Sequence, residues 1–392
     1  CVQVIQTLYA MSGSASTEAE RKMYAAWALK TEDEKKRRDM VSGAERISAL
    51  IKPLAEFDTN LWEFACKNGI IDLKTGKLRP HRPEDYILKI SPVTYDPDAE
   101  CPLWEKTLNL FFQNQQSIIE YVQKLFGYTI TGIKNERLIV YFYGEGRNGK
   151  STITGIPLYI FGDYGRAADI STFIESKWGR QAGSATEDIA RLAGIRYVKT
   201  TEIGQRDKLN EKFVKDISGG DIITARNPYG LSFDFKPVLT LWMYGNEKIK
   251  VDGQDTGIKD RIKFIPLKYI VPKESEDKKM SERIIKNECS GVLNWIIEGC
   301  LKWQAEGLKE PEEIIESTKE FFSEQDPVAT YIKECCEPSD IGVRYKTLYE
   351  SFSEYSDITI SRSKFSKDLR RLGYNIIPMT GNVKYVEGLE IR

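Results

Sequence analysis

Residues 144–151 read GEGRNGKS, and the pattern Gly144-x-x-x-x-Gly149-Lys150-Ser151 constrains the fold more than any other stretch. Glycines at these places let backbone N–H groups wrap around an anion. The arrangement works only where a strand delivers the loop and a helix N-terminus receives it. The preceding run, RLIVYFY, has the continuous apolar character of a buried strand, and the following run, STITGIPLYIF, reads as a helix. The loop is therefore expected to hold a nucleoside triphosphate along Gly144, Glu145, Gly146, Arg147, Asn148, Gly149, Lys150, Ser151 and Thr152. Lys150 would reach the β- and γ-phosphates of ATP, and the Ser151 hydroxyl would ligate Mg²⁺.

Such a loop requires neighbouring strands. GIRYVKTTEI (194–203), VLTLWMYGN (238–246) and RIKFIPL (261–267) have the same buried-strand texture, separated by helical or mixed segments, which predicts an α/β unit with a largely parallel sheet. Glu202 ends the first of these, placed to hold a magnesium-bound water or to polarise the attacking one. Asn246 ends the next, where an amide could orient that water or serve only as a turn former. IITARNPYGLSFDFKP (222–237) interrupts the alternation and reads as a hairpin with its tip at Asn227-Pro228-Tyr229-Gly230. Tyr229 could stack on a base there or pack against the protein.

The remaining chain is mostly helical. Residues 17–57 carry apolar positions Ala44, Ile47, Leu50 and Ile51 at helical spacing. NGIIDLKTGKL (68–78) suggests a hairpin around Lys74-Thr75-Gly76, and LWEKTLNLFFQ and SIIEYVQKLFGYTITG read as amphipathic helices. Helices follow from the charged segment at 273–288 through about 322. The last 70 residues predict helices at 327–336, 344–355 and 362–372, then a strand, the turn Thr380-Gly381-Asn382 and a second strand, which is the layout of a winged helix. In SRSKFSKDLRRLGY, Phe365, Leu369 and Leu372 fall on one helical face, leaving Arg362, Lys364, Lys367, Arg370 and Arg371 outside as a candidate DNA-binding face or a solvated one.

Composition narrows the chemistry. The chain has one histidine, His81, and seven cysteines without a CxxC spacing. A reduced, intracellular protein is expected, without a zinc site or a Ser-His or Cys-His nucleophile; catalysis would run on carboxylates, Lys, Arg and a bound metal–nucleotide. The net charge of −1 confines any nucleic-acid surface to a local patch. No apolar run approaches the roughly 18 residues of a membrane span, so no membrane partner is expected. The expected location is the cytoplasm, that of the host cell if the protein is phage-encoded. The chain opens CVQVIQTLYA, with neither initiator Met nor signal-peptide features, as expected of a piece of a longer polypeptide.

GEGRNGKST, RLAGIRYVKTTEI, KLNEKFVKDISGGDIITARNPYGLSFDFKP, LWMYGN and DTGIKDRIKFIPL together resemble successive motifs of superfamily 3 helicases, in particular the phage, plasmid and poxvirus primase–helicases. LWEFACKNGIIDLKTGKL with PVTYDPDAECPLWEKTL is similar to the domain that precedes the motor in those proteins, and the similarity spans roughly residues 58–270. The resemblance implies a P-loop AAA+-like motor, an α-rich N-terminal domain and a winged-helix-like C-terminal domain. The expected divisions are 1–130, 131–272 for the motor, 273–322 for a helical lid or connector, and 323–392. It implies an ATP-dependent DNA helicase or translocase, ring-forming and usually hexameric, on single-stranded DNA, with a primase or primase–polymerase domain upstream. Lys150 and Ser151 match its Walker A positions, Glu202 its Walker B acid and Asn246 its polar sensor. Arg261 matches an arginine that acts on a neighbouring subunit's ATP, and Lys215 and Arg226 fall in its DNA-gripping motif, where Lys215 could equally face a nucleotide. Many relatives carry paired acids where this chain has Thr201-Glu202, and two arginines where it has Asp260-Arg261. An origin-binding initiator that does not unwind, or a P-loop phosphotransferase on a small substrate, would share the phosphate loop.

Overall fold

A computed structural model gives the fold, described for residues 2–47, 51–53, 56–176, 186–204, 207–251, 256–356, 359–379 and 383–392. The chain contacts divide it into two compact units, 1–59 and 60–392.

The first unit contains α1 (Val2–Ser14), α2 (Glu18–Glu32) and α3 (Glu34–Ala44). Thr17 and Glu20 form a reciprocal cap at the start of α2, and Asp33 ends α2 while its carboxylate caps α3 at Lys36 N. Ser12 Oγ donates to Arg21 O at 2.9 Å and Tyr9 Oη donates to Glu32 Oε1 at 2.9 Å, so α1 lies along α2. Helices were expected from residue 17 onward. α1 lies before that range, and its early β-branched Val2, Val4 and Ile5 carry no strong helical signal. Leu50 lies outside the described residues.

The second unit opens with β1 (Glu63–Cys66), β2 (Gly69–Asp72) and β3 (Lys77–Arg79), an antiparallel meander. The expected hairpin is its β2–β3 half; β1, the short EFAC, gave no alternation to read. Then come α4 (Pro102–Phe111), α5 (Gln116–Thr129), β4 (Ile139–Tyr143), α6 (Lys150–Phe161), β5 (Gly165–Ala168), α7 (Glu187–Ala190), β6 (Tyr197–Thr200) and α8 (Glu211–Gly219). The hairpin strands β7 (Ile223–Arg226) and β8 (Ser232–Phe235), then β9 (Thr240–Gly245), α9 (Thr256–Arg261) and β10 (Ile262–Pro266), complete this part. β10, β4, β9, β6 and β5 form, in that order, one wholly parallel sheet. Four of these strands match expectation. β5 was missed because its sequence, GRAA, contains no β-branched or aromatic residue.

Strand periodicity explains how one sheet supports two cores. Ile139 and Tyr141 of β4 point to one side and Val140 and Phe142 to the other, all fully buried. The second side packs on α4, α5, α6 and α10 (Met280–Glu306), where Phe126 stacks on Trp242 with ring centroids 4.0 Å apart. The first side packs on α8 and α11 (Glu312–Glu324), through Val214, Ile217 and Phe321. A strand buried on both faces therefore reads as unbroken apolar sequence, as RLIVYFY does.

The chain ends with α12 (Pro327–Cys335), β11 (Cys336–Glu337), β12 (Val343–Arg344), α13 (Tyr345–Tyr355), α14 (Arg362–Arg371), β13 (Ile376–Met379), β14 (Val383–Val386) and β15 (Glu390–Ile391). They enclose their own core around Tyr331, Phe352, Phe365 and Leu369. The three helices and the β13–β14 pairing follow the sequence; the expected turn 380–382 lies outside the described residues. No described helix is long and apolar enough to cross a membrane.

α5 and α10 approach closely because glycines face backbone across the contact. A methyl group at Gly127 would sit 2.1 Å from Cys300 N, and one at Gly299 would sit 2.2 Å from Gln123 O. Neither neighbour is a side-chain tip that can swing away. Gly127→Ala is expected to separate the two helices and lower unfolding stability by about 1–3 kcal/mol, read as a reduced urea midpoint at unchanged slope.

Candidate functional site

The buried strand β4 ends at Tyr143, and the loop that follows is held by close approaches at both ends, to backbone at one and to an aromatic ring at the other. Gly144 N donates to Gly245 O at 3.4 Å, and a methyl group on Gly144 would lie 2.3 Å from Leu267 O. Gly149 has φ of +82°, and a methyl group there would lie 2.1 Å from the Phe111 ring. These two positions therefore demand glycine, whereas Gly146 has nothing within 4 Å of such a methyl group. Arg147, also left-handed at φ 61°, accepts at its carbonyl from Val271 N at 2.8 Å. Gly149 is the N-cap of α6 and provides no side-chain cap, so the first turn directs its N–H groups into the loop.

The Lys150 side chain turns back into this loop and is buried. Its Nζ donates to Gly144 O at 2.5 Å, Asn148 Oδ1 at 2.8 Å, Asn246 Oδ1 at 2.8 Å and, more weakly, Glu145 O at 3.2 Å. Asn148 is itself anchored by donation to Leu267 O at 3.2 Å. Burial pushes the Lys150 ammonium down to about 8, against the opposing pull of the Glu202 carboxylate. The charged form is thus held by neutral oxygens and one nearby anion, an environment that a polyphosphate would improve.

The other expected site residues lie along the same sheet edge. Glu202 follows β6, and the next residue, Ile203, bridges Gly245 at the end of β9. Asn246 follows that glycine and reaches Lys150 directly. The carboxyl ends of β4, β6 and β9 therefore bring Lys150, Glu202 and Asn246 together. Ser151 is exposed in the first turn of α6. Thr201, at the position where many relatives carry a second acid, holds local structure, since its Oγ1 accepts from Ile170 N at 3.0 Å and its N donates to Ala168 O at 2.9 Å. A serine-type hydroxyl, a carboxylate, an amide and a lysine around a glycine loop form a donor set that fits a magnesium-bound triphosphate.

Arg261 is elsewhere. It ends α9, immediately before β10, whereas the loop follows the far end of the paired strand β4. Five residues of parallel strand separate the two levels, about 16 Å. Its Nε donates to Ser218 Oγ at 3.1 Å and its Nη1 to Gly257 O at 2.6 Å. The expected strand-end arginine is thus a helix-end residue braced against α8.

The hairpin forms as expected, with Arg226 paired to Ser232. Arg226 Nε donates to Gly230 O at 3.0 Å, and its backbone exchanges hydrogen bonds with Thr186. Tyr229 is left-handed and fully exposed, as is nearly all of Leu231, so the packing alternative for Tyr229 does not hold within the chain. Lys215 lies on α8, which precedes the hairpin in the chain. In the tail, Phe365 and Leu369 are buried, and Arg362, Lys367 and Arg370 are exposed. Lys364 is half-buried, and the Arg362 guanidinium lies 5.4 Å from the Tyr349 ring centre. Arg371 is exposed as well, and it also pairs with the buried Asp326 and lies 3.5 Å from Asp368. Phe111, Leu267 and Val271, which shape the loop, carried no sequence signal because their contacts are made across more than 30 residues.

Comparison with known proteins finds relatives among viruses. Residues 3–113 match the D5 N terminal like family. "Putative helicase L207/L206" of Acanthamoeba polyphaga mimivirus is 27% identical over 348 residues, covering 83% of this chain and 36% of that protein. "Putative helicase 022R" of Frog virus 3 (isolate Goorha) is 22% identical over 69% of this chain and 36% of its own length. "Putative helicase V13" of Sputnik virophage is 24% identical over 59% of the chain and 32% of its length. The chain thus spans about a third of these relatives. Among solved structures, the apo NrS-1 C-terminal region is similar with TM-score 0.44 and 12% identity, covering 76% of this chain and 78% of that one. The chain is similar to viral putative helicases and, over residues 3–113, to the D5 N terminal like family.

The depressed Lys150 value has a measurable consequence. A bound polyanion favours the charged amine and raises its pKa, so above pH 8 binding must draw a proton from solution. Titrating polyphosphate at pH 8.5 in buffers of different ionisation enthalpy should show net proton uptake by the wild type and none from this source in Lys150→Met.

Proposed function

We propose that this chain is the ATP-dependent motor of a viral-type DNA replication helicase, working as a ring, usually of six copies, on single-stranded DNA. The observation that supports this most is the convergence of Lys150, Asn246 and Glu202 on one glycine loop at the carboxyl edge of a parallel sheet. In this reading the motor is P-loop AAA+-like and spans 131–272. Residues 1–130 precede it, 273–322 form a lid or connector, and 323–392 are a winged-helix-like domain. A primase or primase–polymerase lies upstream on the same polypeptide, and the protein acts in the host cytoplasm.

The roles follow from charge. Gly144–Thr152 cradle the phosphates, with Lys150 on the β- and γ-oxygens. Ser151 and Glu202 hold Mg²⁺, which would supply charge neutralisation at the γ-phosphoryl group when bound. Glu202 and Asn246 orient the attacking water. Phosphoryl transfer spreads negative charge over the γ-oxygens, and a guanidinium stabilises it. Arg261 serves this role on the neighbouring subunit's ATP, since its own loop lies at the opposite sheet edge. Arg226 and the exposed Tyr229 grip backbone and base of the DNA strand, with Lys215 behind them. Arg362, Lys364, Lys367, Arg370 and Arg371 of the tail add a second DNA-facing surface, with Arg371 also anchored by its pairing with Asp326.

Steady-state ATP hydrolysis with and without single-stranded DNA, over a protein concentration series, tests this function. Stimulation by DNA and a specific activity that rises with concentration are expected. Activity indifferent to both would point instead to a self-contained phosphotransferase. Lys150→Ala should abolish hydrolysis with the fold intact by circular dichroism. Arg261→Ala should lower turnover by roughly 10³-fold or more, and mixing it with Lys150→Ala subunits should restore part of the rate. Mixed samples without recovery would argue against a shared site.

A further inference from the structure

The triphosphate reading leaves the rest of the nucleotide unplaced. We propose that its base sits in the cavity between α4 and the start of α10, walled by Tyr269 and capped by the side-chain amides of Gln113 and Asn114. This rests on the reading of the loop as a triphosphate site and adds the position of the base.

Direction comes first. In the sheet, β4 lies between β9 and β10. Asn246 and Glu202 stand on the β9 and β6 side, so the γ-phosphoryl end points there. The opposite end of the nucleotide leaves toward β10, where the chain beyond Pro266 passes the loop. Val271 N donates to Arg147 O, and Ser281 Oγ lies 3.4 Å from Thr152 Oγ1 on α6. On the same side Phe111, at the end of α4, underlies Gly149.

A cavity of about 570 Å³ opens between these elements. That is within the usual range for a site that buries a small organic group. Its exposed surface is mainly apolar, with Leu103, Leu110, Tyr269 and Met280 in the lining, which suits the faces of a base; Lys106 and Arg283 also line it, so cations stand near its polar edge. At its rim, Gln113 and Asn114 are both left-handed, at φ 52° and 59°, a turn that projects two exposed amides from the end of α4. Among the described residues, neither amide side chain is engaged in a hydrogen bond, unlike Asn109, which bonds Glu105 O and Gln116. An amide offers one donor and one acceptor side by side, the complement of the N6 and N7 edge of adenine.

The experiment is calorimetric titration of magnesium–ATP and of magnesium–tripolyphosphate into the full chain and four variants. Tyr269→Ala removes the wall, and Leu110→Trp fills the cavity from a partly exposed position. Both should weaken ATP by roughly 5- to 100-fold, the loss seen when an aromatic stacking partner is removed. Tripolyphosphate binding should stay within about twofold, which also shows that the loop remains folded. Unchanged ATP affinity in both variants would overturn the proposal. So would weakening by Ile270→Ala alone, since Ile270 lines a separate cavity of about 380 Å³ beside Gly144 and Glu145. Lys150→Ala should weaken both ligands. If it weakens neither, the triphosphate reading itself fails, a result distinct from a misplaced base.

Discussion

One ammonium group ties the centre of this protein together. Lys150 Nζ reaches carbonyls of its own loop, the amide of Asn148 and the amide of Asn246 at the end of the neighbouring strand. Burying a charge among neutral oxygens is unfavourable, and the cost appears as a pKa pushed down to about 8. The fold tolerates that cost because the surrounding frame is rigid. β4 is buried on both faces, Gly149 lies against Phe111, and Asn148 is fastened to Leu267 O. A site that keeps a desolvated charge mainly among neutral oxygens has free energy to gain from an anionic ligand, and its groups are already placed around the loop.

The same frame explains what was legible in the sequence. Gly144 and Gly149 could be read because each is fixed by local geometry, a close backbone approach in one case and a left-handed φ over an aromatic ring in the other. The strands β4, β6, β9 and β10 could be read because double burial makes them continuously apolar. Glu202 and Asn246 followed, being one or two residues beyond strand ends. Their convergence is a property of parallel pairing: register places the ends of neighbouring strands at one level.

What escaped was set by contacts distant in sequence. β5 joins the sheet through pairing with β6, although its own residues have little preference for a strand. Arg371 read as an outward cation and is exposed, yet it also has a buried partner, Asp326, on a segment 45 residues earlier. Thr201 looked like a missing acid; it is a hydroxyl that holds the turn at Ile170. None of these assignments could be made from spacing, because in each case the deciding partner is brought in by the fold.

The position of Arg261 carries the strongest constraint on how such a motor would work. The register of β10 on β4 places Arg261 at the amino edge of the sheet and the phosphate loop at the carboxyl edge. About 16 Å of strand lies between them, more than an arginine side chain spans. Ser218 Oγ and Gly257 O further brace the guanidinium against α8 and α9. An arginine so held cannot complete its own loop. If it contributes to phosphoryl transfer, the ligand it meets belongs to another copy of the chain, and turnover then depends on assembly. The bracing is consistent with that use, because a charge delivered across an interface is most effective when its direction is fixed before the partner arrives.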